Sequence, residues 1–452
     1  MGVCITIPLF ILFNEFKKRL SLNKIYNFRK EVKKTKMKHY KQSVDPKNST
    51  LIGTTSGRKA VYTEDNAKHI FCCGTTGSGK TVVLSNYIKS AIEKNYPALI
   101  IDGKGDVGAG SMLDIVTRLN HGRKKVFVVN LTQPLLSAKY NPFKNASPTV
   151  AKDMLINMTD WSEEHYKLNT ERYLQRLVTI MQKAGVSLSF KRIISYMPVE
   201  KFTELSSQLL SVKMITKTEH IENIEIAKTS GKISESATAR FSTIAEGELG
   251  TIFTDDGIDI LDALKQNAII LFILNPLIYP ETSQLIGRLI LIDSKKAISN
   301  LFTQNNRRTF FILDEINVYA SPVLIDLVNK SRSANITCVL ATQSLSDLDF
   351  ASGEAFKEQV IENCNNYIVL RQNSSVNAEH FANILGTRAT MEVTYQLQQK
   401  GLNTAETGFG SAKRTREYYY HPDEIKELKT GKGIFLSRDT GHHTKVNIHK
   451  PF

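Results

Sequence analysis

The stretch FCCGTTGSGKTVV, residues 71–83, decides the fold. Within it GTTGSGKT, Gly74 to Thr81, satisfies the pattern GxxxxGK[ST]. HIFCC (69–73) before it reads as a strand, and TVVLSNYIKSAIEKN after it as an amphipathic helix, so the loop is a strand-to-helix turn. In such a turn Gly74, Thr75 and Thr76 lead into the loop. The backbone amides of Gly77, Ser78, Gly79, Lys80 and Thr81 then face a nucleotide's phosphates at the helix N-terminus. Lys80 reaches the terminal phosphoryl groups and the Thr81 hydroxyl binds magnesium, so the expected ligands are ATP and Mg2+.

Outward from this turn, apolar runs recur: ALIID (98–102), KVFVVNL (125–131), AIILFIL (268–274), TFFILD (309–314), ITCVLA (336–341), YIVL (367–370) and GIFL (433–436). Runs of this kind, without alternation, are strands buried on both faces, which predicts an α/β fold with a mostly parallel sheet covered by helices. Residues 45–66 read as a hairpin leading into the first core strand. The interval 145–247 has no convincing strand. It does carry Tyr173, Leu174, Leu177, Val178 and Met181 at helical spacing, with Gly185 as a cap, and it is too long for a crossover connection. The expected organisation is a membrane-proximal segment (1–48), a nucleotide-binding domain (49–144 and 248–452) and an inserted all-α domain (145–247).

TFFILDE aims Asp314 and Glu315 at the C-terminal edge of the sheet, where open α/β sheets bind ligands. Asp314 is expected to hold magnesium through water and Glu315 to act as general base on the attacking water. ITCVLA ends in Thr342 and Gln343, whose amide is placed to orient that water or sense the terminal phosphate. Arg332, before that strand, is a candidate arginine finger for a neighbouring subunit; an ordinary surface arginine is the competing reading, and Lys330 a competing candidate. Asp102, in IIDGKGD (100–106), either supports the phosphate loop or the magnesium shell, or caps the following turn. The five cysteines show no CxxC spacing and the ten histidines no metal spacing.

The net charge is +15, yet Lys17 to Lys41 holds eleven Lys or Arg against one Glu, which is +10 of it. Bulk charge therefore argues for DNA no better than for anionic lipid. Val3 to Phe13 is apolar or nearly so, and as a helix it covers about 16 Å of a ~30 Å hydrocarbon core. It reads either as the last half of a transmembrane segment or as a tail lying at the surface.

Together HIFCCGTTGSGKT, LIIDGKGD, YNPF (140–143), ELGTIFTDDGIDILDAL, FFILDE, KSRSANITCVLATQS, VIENCNNYIVLRQ and HPDEIKELKTGKGIFLS resemble the type IV coupling proteins of bacterial conjugation. These form the TraG/TraD class within the FtsK/HerA group of DNA-translocating ATPases, and the motifs run in that family's order from about residue 50 to the end. The resemblance implies a RecA-like P-loop motor domain with an inserted all-α domain. Lys80 and Thr81 become its Walker A pair, Asp314 and Glu315 its Walker B pair, Gln343 the glutamine coupling hydrolysis to movement, and Arg332 the arginine finger. It further implies a homo-hexamer at the cytoplasmic face of the bacterial cell membrane, delivering a relaxase with single-stranded DNA to a type IV secretion channel. The alternatives are a sister motor, either a secretion-channel ATPase or a DNA-repair translocase, and a non-catalytic recruitment platform.

Overall fold

The computed structural model describes residues 45–301, 307–400 and 403–452, together with Glu15 and Arg19; side chains are described outside 393–412. Val3–Phe13 and the basic tail, apart from Arg19, thus lie outside the described residues. Among the described residues no helix is long and apolar enough to cross a membrane.

An eleven-stranded sheet forms the centre. Its strands are β1 (Ser49–Thr54), β2 (Ala60–Glu64), β3 (Ile70–Cys73), β4 (Ala98–Asp102), β5 (Val126–Asn130), β6 (Ile269–Ile273), β7 (Thr309–Leu313), β8 (Ile336–Thr342) and β9 (Asn366–Val369). After an intervening hairpin, β10 (Thr387–Lys400) with β11 (Asn403–Tyr418), come β12 (Lys432–Ser437) and β13 (His442–Ile448). The order is β2-β1-β13-β12-β9-β3-β8-β7-β4-β6-β5, and the stretch from β9 to β5 is parallel throughout. Every apolar run named above became one of these strands. β3, β4, β6, β7 and β8 are buried along their whole length, as strands covered on both faces must be.

Register carries the function. Cys73 pairs with Thr342 and Val369, Leu313 with Leu340, and Asp102 with Ile273. The residues that follow these strands, Gly74, Gln343, Asp314 and Gly103, therefore emerge along one edge. The expected hairpin is β1 paired antiparallel with β2, and β1 also pairs with β13.

Between 145 and 247 the chain forms helices Pro148–Asn157, Glu164–Lys183, Phe190–Tyr196, Val199–Ser211, Lys217–Ile226 and Glu235–Glu246. On Glu164–Lys183 the residues Tyr173, Leu174, Leu177, Val178 and Met181 are all buried, and Gly185 follows with φ +68°. This segment falls in the same compact unit as the sheet, Val44–Gln372 with Leu428–Phe435 and Thr444–Phe452. A buried polar knot ties its root to the helix Pro280–Leu301. Tyr140 donates to Asp293 Oδ2 at 2.8 Å, while Lys296 Nζ lies 2.9 Å from Asp293 Oδ1 and 3.1 Å from Asp259 Oδ2. Lys296 also donates to the carbonyls of Pro142 and Lys144, so each of its three protons has an acceptor.

Asn373–Glu427 and Leu436–His443 form a second compact unit. Its parts close on each other: Tyr419 N–H bonds Gly386 O at 3.0 Å, Tyr420 OH is 3.2 Å from His443 Nδ1, and the Tyr419 and His443 rings lie 4.2 Å apart.

Ahead of β3, His69 is buried. Its Nδ1 accepts the Cys338 N–H at 3.1 Å, and Nε2 lies 3.5 Å from Ser331 Oγ. Burial lowers its pKa to about 4, with nearby Arg332 adding to the effect. A folded-state pKa below the unfolded value of about 6.5 means the unfolded chain binds the proton more tightly, so stability falls as pH drops from 6.5 toward 4. The loss from this residue should approach about 3 kcal/mol. Urea midpoints measured across that range should show this component in the wild type and lack it in His69→Gln; the same slope in both would contradict it.

Candidate active site

Gly74 N–H bonds Thr342 O at 3.3 Å and Thr75 N–H bonds Arg371 O at 3.0 Å, so the loop is anchored on the ends of both neighbouring strands. Gly79 stands just before the helix Lys80–Glu93 with φ +113°, a conformation that disfavours any side chain. The first turn of that helix leaves amide donors without intrahelical acceptors, which is the cradle an anionic phosphate fits.

Lys80 is buried; its Nζ donates to Gly74 O at 2.7 Å and lies 3.5 Å from Glu315 Oε1. Asp314 and Glu315 are buried at the end of β7. Glu315 takes up φ 48°, ψ 56°, a left-handed conformation uncommon outside glycine, which turns the chain immediately after Asp314. Gln343 joins the two halves: its Nε2 donates to Glu315 Oε1 at 3.2 Å and its Oε1 accepts the Thr76 hydroxyl at 2.9 Å. Lys80, Glu315, Gln343 and the loop thus meet as the sequence placed them.

Burial, and then the charge of Asp314, push the Glu315 carboxyl up, against the pull of Lys80, Lys104 and Gln343. Burial and Asp314 likewise raise Asp102, to about 7. Asp102 Oδ1 accepts the Lys104 N–H at 2.9 Å, so of its two readings the turn cap is the one with a bond.

Magnesium is tested by the oxygens present. Asp314 Oδ2 and Glu315 Oε2 are buried and accept no hydrogen bond, although the Lys104 ammonium stands 3.1 Å from Asp314 Oδ2 as an ion pair. The Thr81 hydroxyl accepts from the same Lys104 ammonium at 3.3 Å, and together these hard oxygen donors fit a magnesium ion.

Arg332 lies elsewhere. It is exposed, in a short turn before β8, at the opposite end of that seven-residue strand from Gln343 and roughly 23 Å away. It therefore does not join its own chain's cluster.

Three participants were missed. Lys104 reaches in from the loop after β4. Thr430 donates to Gly77 O at 3.1 Å, and Gly431 N–H bonds Ser78 O at 3.1 Å, so TGKG straps the phosphate loop from the outside. In sequence, the lysine and glycines of LIIDGKGD and LKTGKG were the only signal.

Fold and site together define a P-loop ATPase with a RecA-like sheet. Two family models match. The "Type IV secretion-system coupling protein DNA-binding domain" covers residues 57–109, and the "TraM recognition site of TraD and TraG" covers residues 308–430. Together these two matches support reading the chain as a type IV coupling protein. A relative in Mycoplasma pneumoniae, an uncharacterized protein, is 32% identical over 105 residues, spanning 23% of this chain and 70% of that one. Among solved structures, the unbound bacterial conjugative coupling protein TrwBΔN70 superposes with a TM-score of 0.64 at 15% identity, covering 91% of this chain and 90% of that one. TrwB in complex with ADP and Mg2+ gives 0.61 at 16%, covering 91% and 96%. VirB4 of Thermoanaerobacter pseudethanolicus gives 0.55 at 12%, covering 90% and 98%.

The strap predicts an effect on nucleotide binding. Thr430→Val removes one hydrogen bond from the Gly77 carbonyl and should weaken ADP binding by about two- to tenfold. Titration with a fluorescent ADP analogue checks this, and an unchanged affinity would contradict a role for the strap.

Proposed function

We propose that this chain is an ATP-driven DNA translocase, a type IV coupling protein that delivers relaxase-bound single-stranded DNA to a conjugative type IV secretion channel. It works as a homo-hexamer at the cytoplasmic face of the bacterial cell membrane, held there by its N-terminal segment. The observation that carries the motor reading is the bridge Thr76–Gln343–Glu315, which ties the phosphate loop to the hydrolytic carboxylate through the end of a central strand. The DNA-binding family model over residues 57–109 supports the substrate, and the all-α segment 145–247 is taken as an inserted domain that meets it.

The chemistry follows from the residues. Lys80 neutralises the terminal phosphoryl oxygens from a position fixed by Gly74 O. Thr81 and Asp314 hold the magnesium, which when bound supplies charge stabilisation to the phosphates. Glu315, more basic than a solvated glutamate, takes the proton of the attacking water. When that proton or the phosphate charge changes, the hydrogen bond to Gln343 Nε2 changes with it, and β8 carries the change away from the site. Arg332, exposed at the far end of β8, serves a neighbouring subunit's nucleotide in this reading, which its exposure allows.

The sister-motor reading draws on the similarity to VirB4, which concerns the fold. ATPase rates with single- and double-stranded DNA separate the possibilities. The account predicts stimulation by single-stranded DNA. It predicts a loss of at least a hundredfold in Glu315→Gln with ATP binding retained, and a large loss in Arg332→Ala that mixing with Lys80→Ala subunits partly restores. No hydrolysis above Lys80→Ala would favour the recruitment-platform reading, and undiminished turnover in Arg332→Ala would remove the finger.

A further inference from the structure

Lys104 enters the cluster because the loop after β4 is pressed against the end of β7. A Cβ on Gly103 would sit 2.9 Å from Glu315 Cβ and 3.0 Å from Asp314 O, so only glycine allows this approach. The Lys104 backbone is then fixed by its N–H on Asp102 Oδ1. Its Nζ lies 3.1 Å from Asp314 Oδ2, 3.3 Å from Thr81 Oγ1 and 3.8 Å from Glu315 Oε1. The first two are the oxygens assigned above to the divalent cation.

We propose that Lys104 is a positioning residue that competes with the divalent cation: its ammonium holds Asp314 and Thr81 together and must be displaced for the cation to load. This rests on the ATPase reading above. A divalent cation held on these oxygens, directly or through its own waters, would bring two further positive charges against the ammonium on the same two atoms, so the two compete. The buried carboxylates need a counter-charge in the meantime; the side chains of Asp314 and Glu315 are 1% and 4% exposed. Lys80 and Lys104 differ in what they can do. Lys80, with a side chain 4% exposed and bonded to Gly74 O, stays in place. Lys104 has a side chain 35% exposed on a flexible four-carbon stem, so solvent is open to it when it leaves. Cation loading is then coupled to departure of the Lys104 side chain, and the buried carboxylates have a counter-charge both before and after the exchange.

The test is Mn2+ affinity of the ADP-bound full chain, read from the paramagnetic resonance of free Mn2+, in the wild type, Lys104→Met and Lys104→Arg. Removing the competitor should tighten Mn2+ binding about tenfold in Lys104→Met, and keeping the charge should leave Lys104→Arg at or below the wild-type affinity. Without divalent cation Lys104→Met should melt below the wild type, with Mn2+ closing the gap. If that variant does not fold without cation, Lys104→Gln serves in its place with the same expected order. Unchanged or weaker Mn2+ binding in a folded Met or Gln variant overturns the proposal, because it makes Lys104 neutral or a helper of the cation. Failure of the wild type to bind ADP sinks the ATPase reading and this inference together, whereas intact ADP binding with unmoved Mn2+ affinity sinks the inference alone.

Discussion

Everything in this molecule depends on keeping two carboxylates ionisable inside a protein. Asp314 and Glu315 stand at the end of a fully buried strand, and a buried carboxylate without a partner is among the most costly features a fold can carry. Lys80, from the helix after the phosphate loop, and Lys104, from the loop after β4, answer that cost from two sides. The sheet order makes this possible, because β4 and β8 flank β7 and β3 lies beyond β8. One parallel register delivers all four strand ends to one edge.

The same register connects the site to the far end of β8. β8 carries Gln343 at one end and follows Arg332 at the other, and both its neighbours are parallel central strands. His69, buried before β3, bonds the Cys338 N–H near the start of β8 and approaches Ser331, the residue before Arg332. In the proposed motor, β8 is thus the element that links Gln343 to the turn carrying Arg332. The polar knot of Tyr140, Asp293, Lys296 and Asp259 does the corresponding work for the helical segment, fixing the point where it leaves the sheet.

Much of this was legible in sequence, for reasons that can be named. The core strands could be read because burial on both faces demands unbroken apolar runs such as AIILFIL and TFFILD. Lys80, Thr81, Asp314, Glu315 and Gln343 could be read because each follows such a strand at a fixed offset. Lys104 could not, since its part depends on how closely Gly103 lets two loops approach, a distance that no spacing encodes. Thr430 and Gly431 were hidden for a related reason: they meet the phosphate loop across more than 340 residues of chain. β10 and β11 are not legible because TRATMEVTYQLQQK offers no apolar run.

The central claim is that hydrolysis at this cluster moves DNA, and displacement of streptavidin from the end of biotinylated single-stranded DNA tests it most directly. With the full chain and ATP, the account predicts displacement by the wild type and none by Glu315→Gln, which keeps the fold and the nucleotide but not the base. Equal displacement by both proteins, or vigorous ATP turnover by the wild type with the streptavidin left in place, would contradict it.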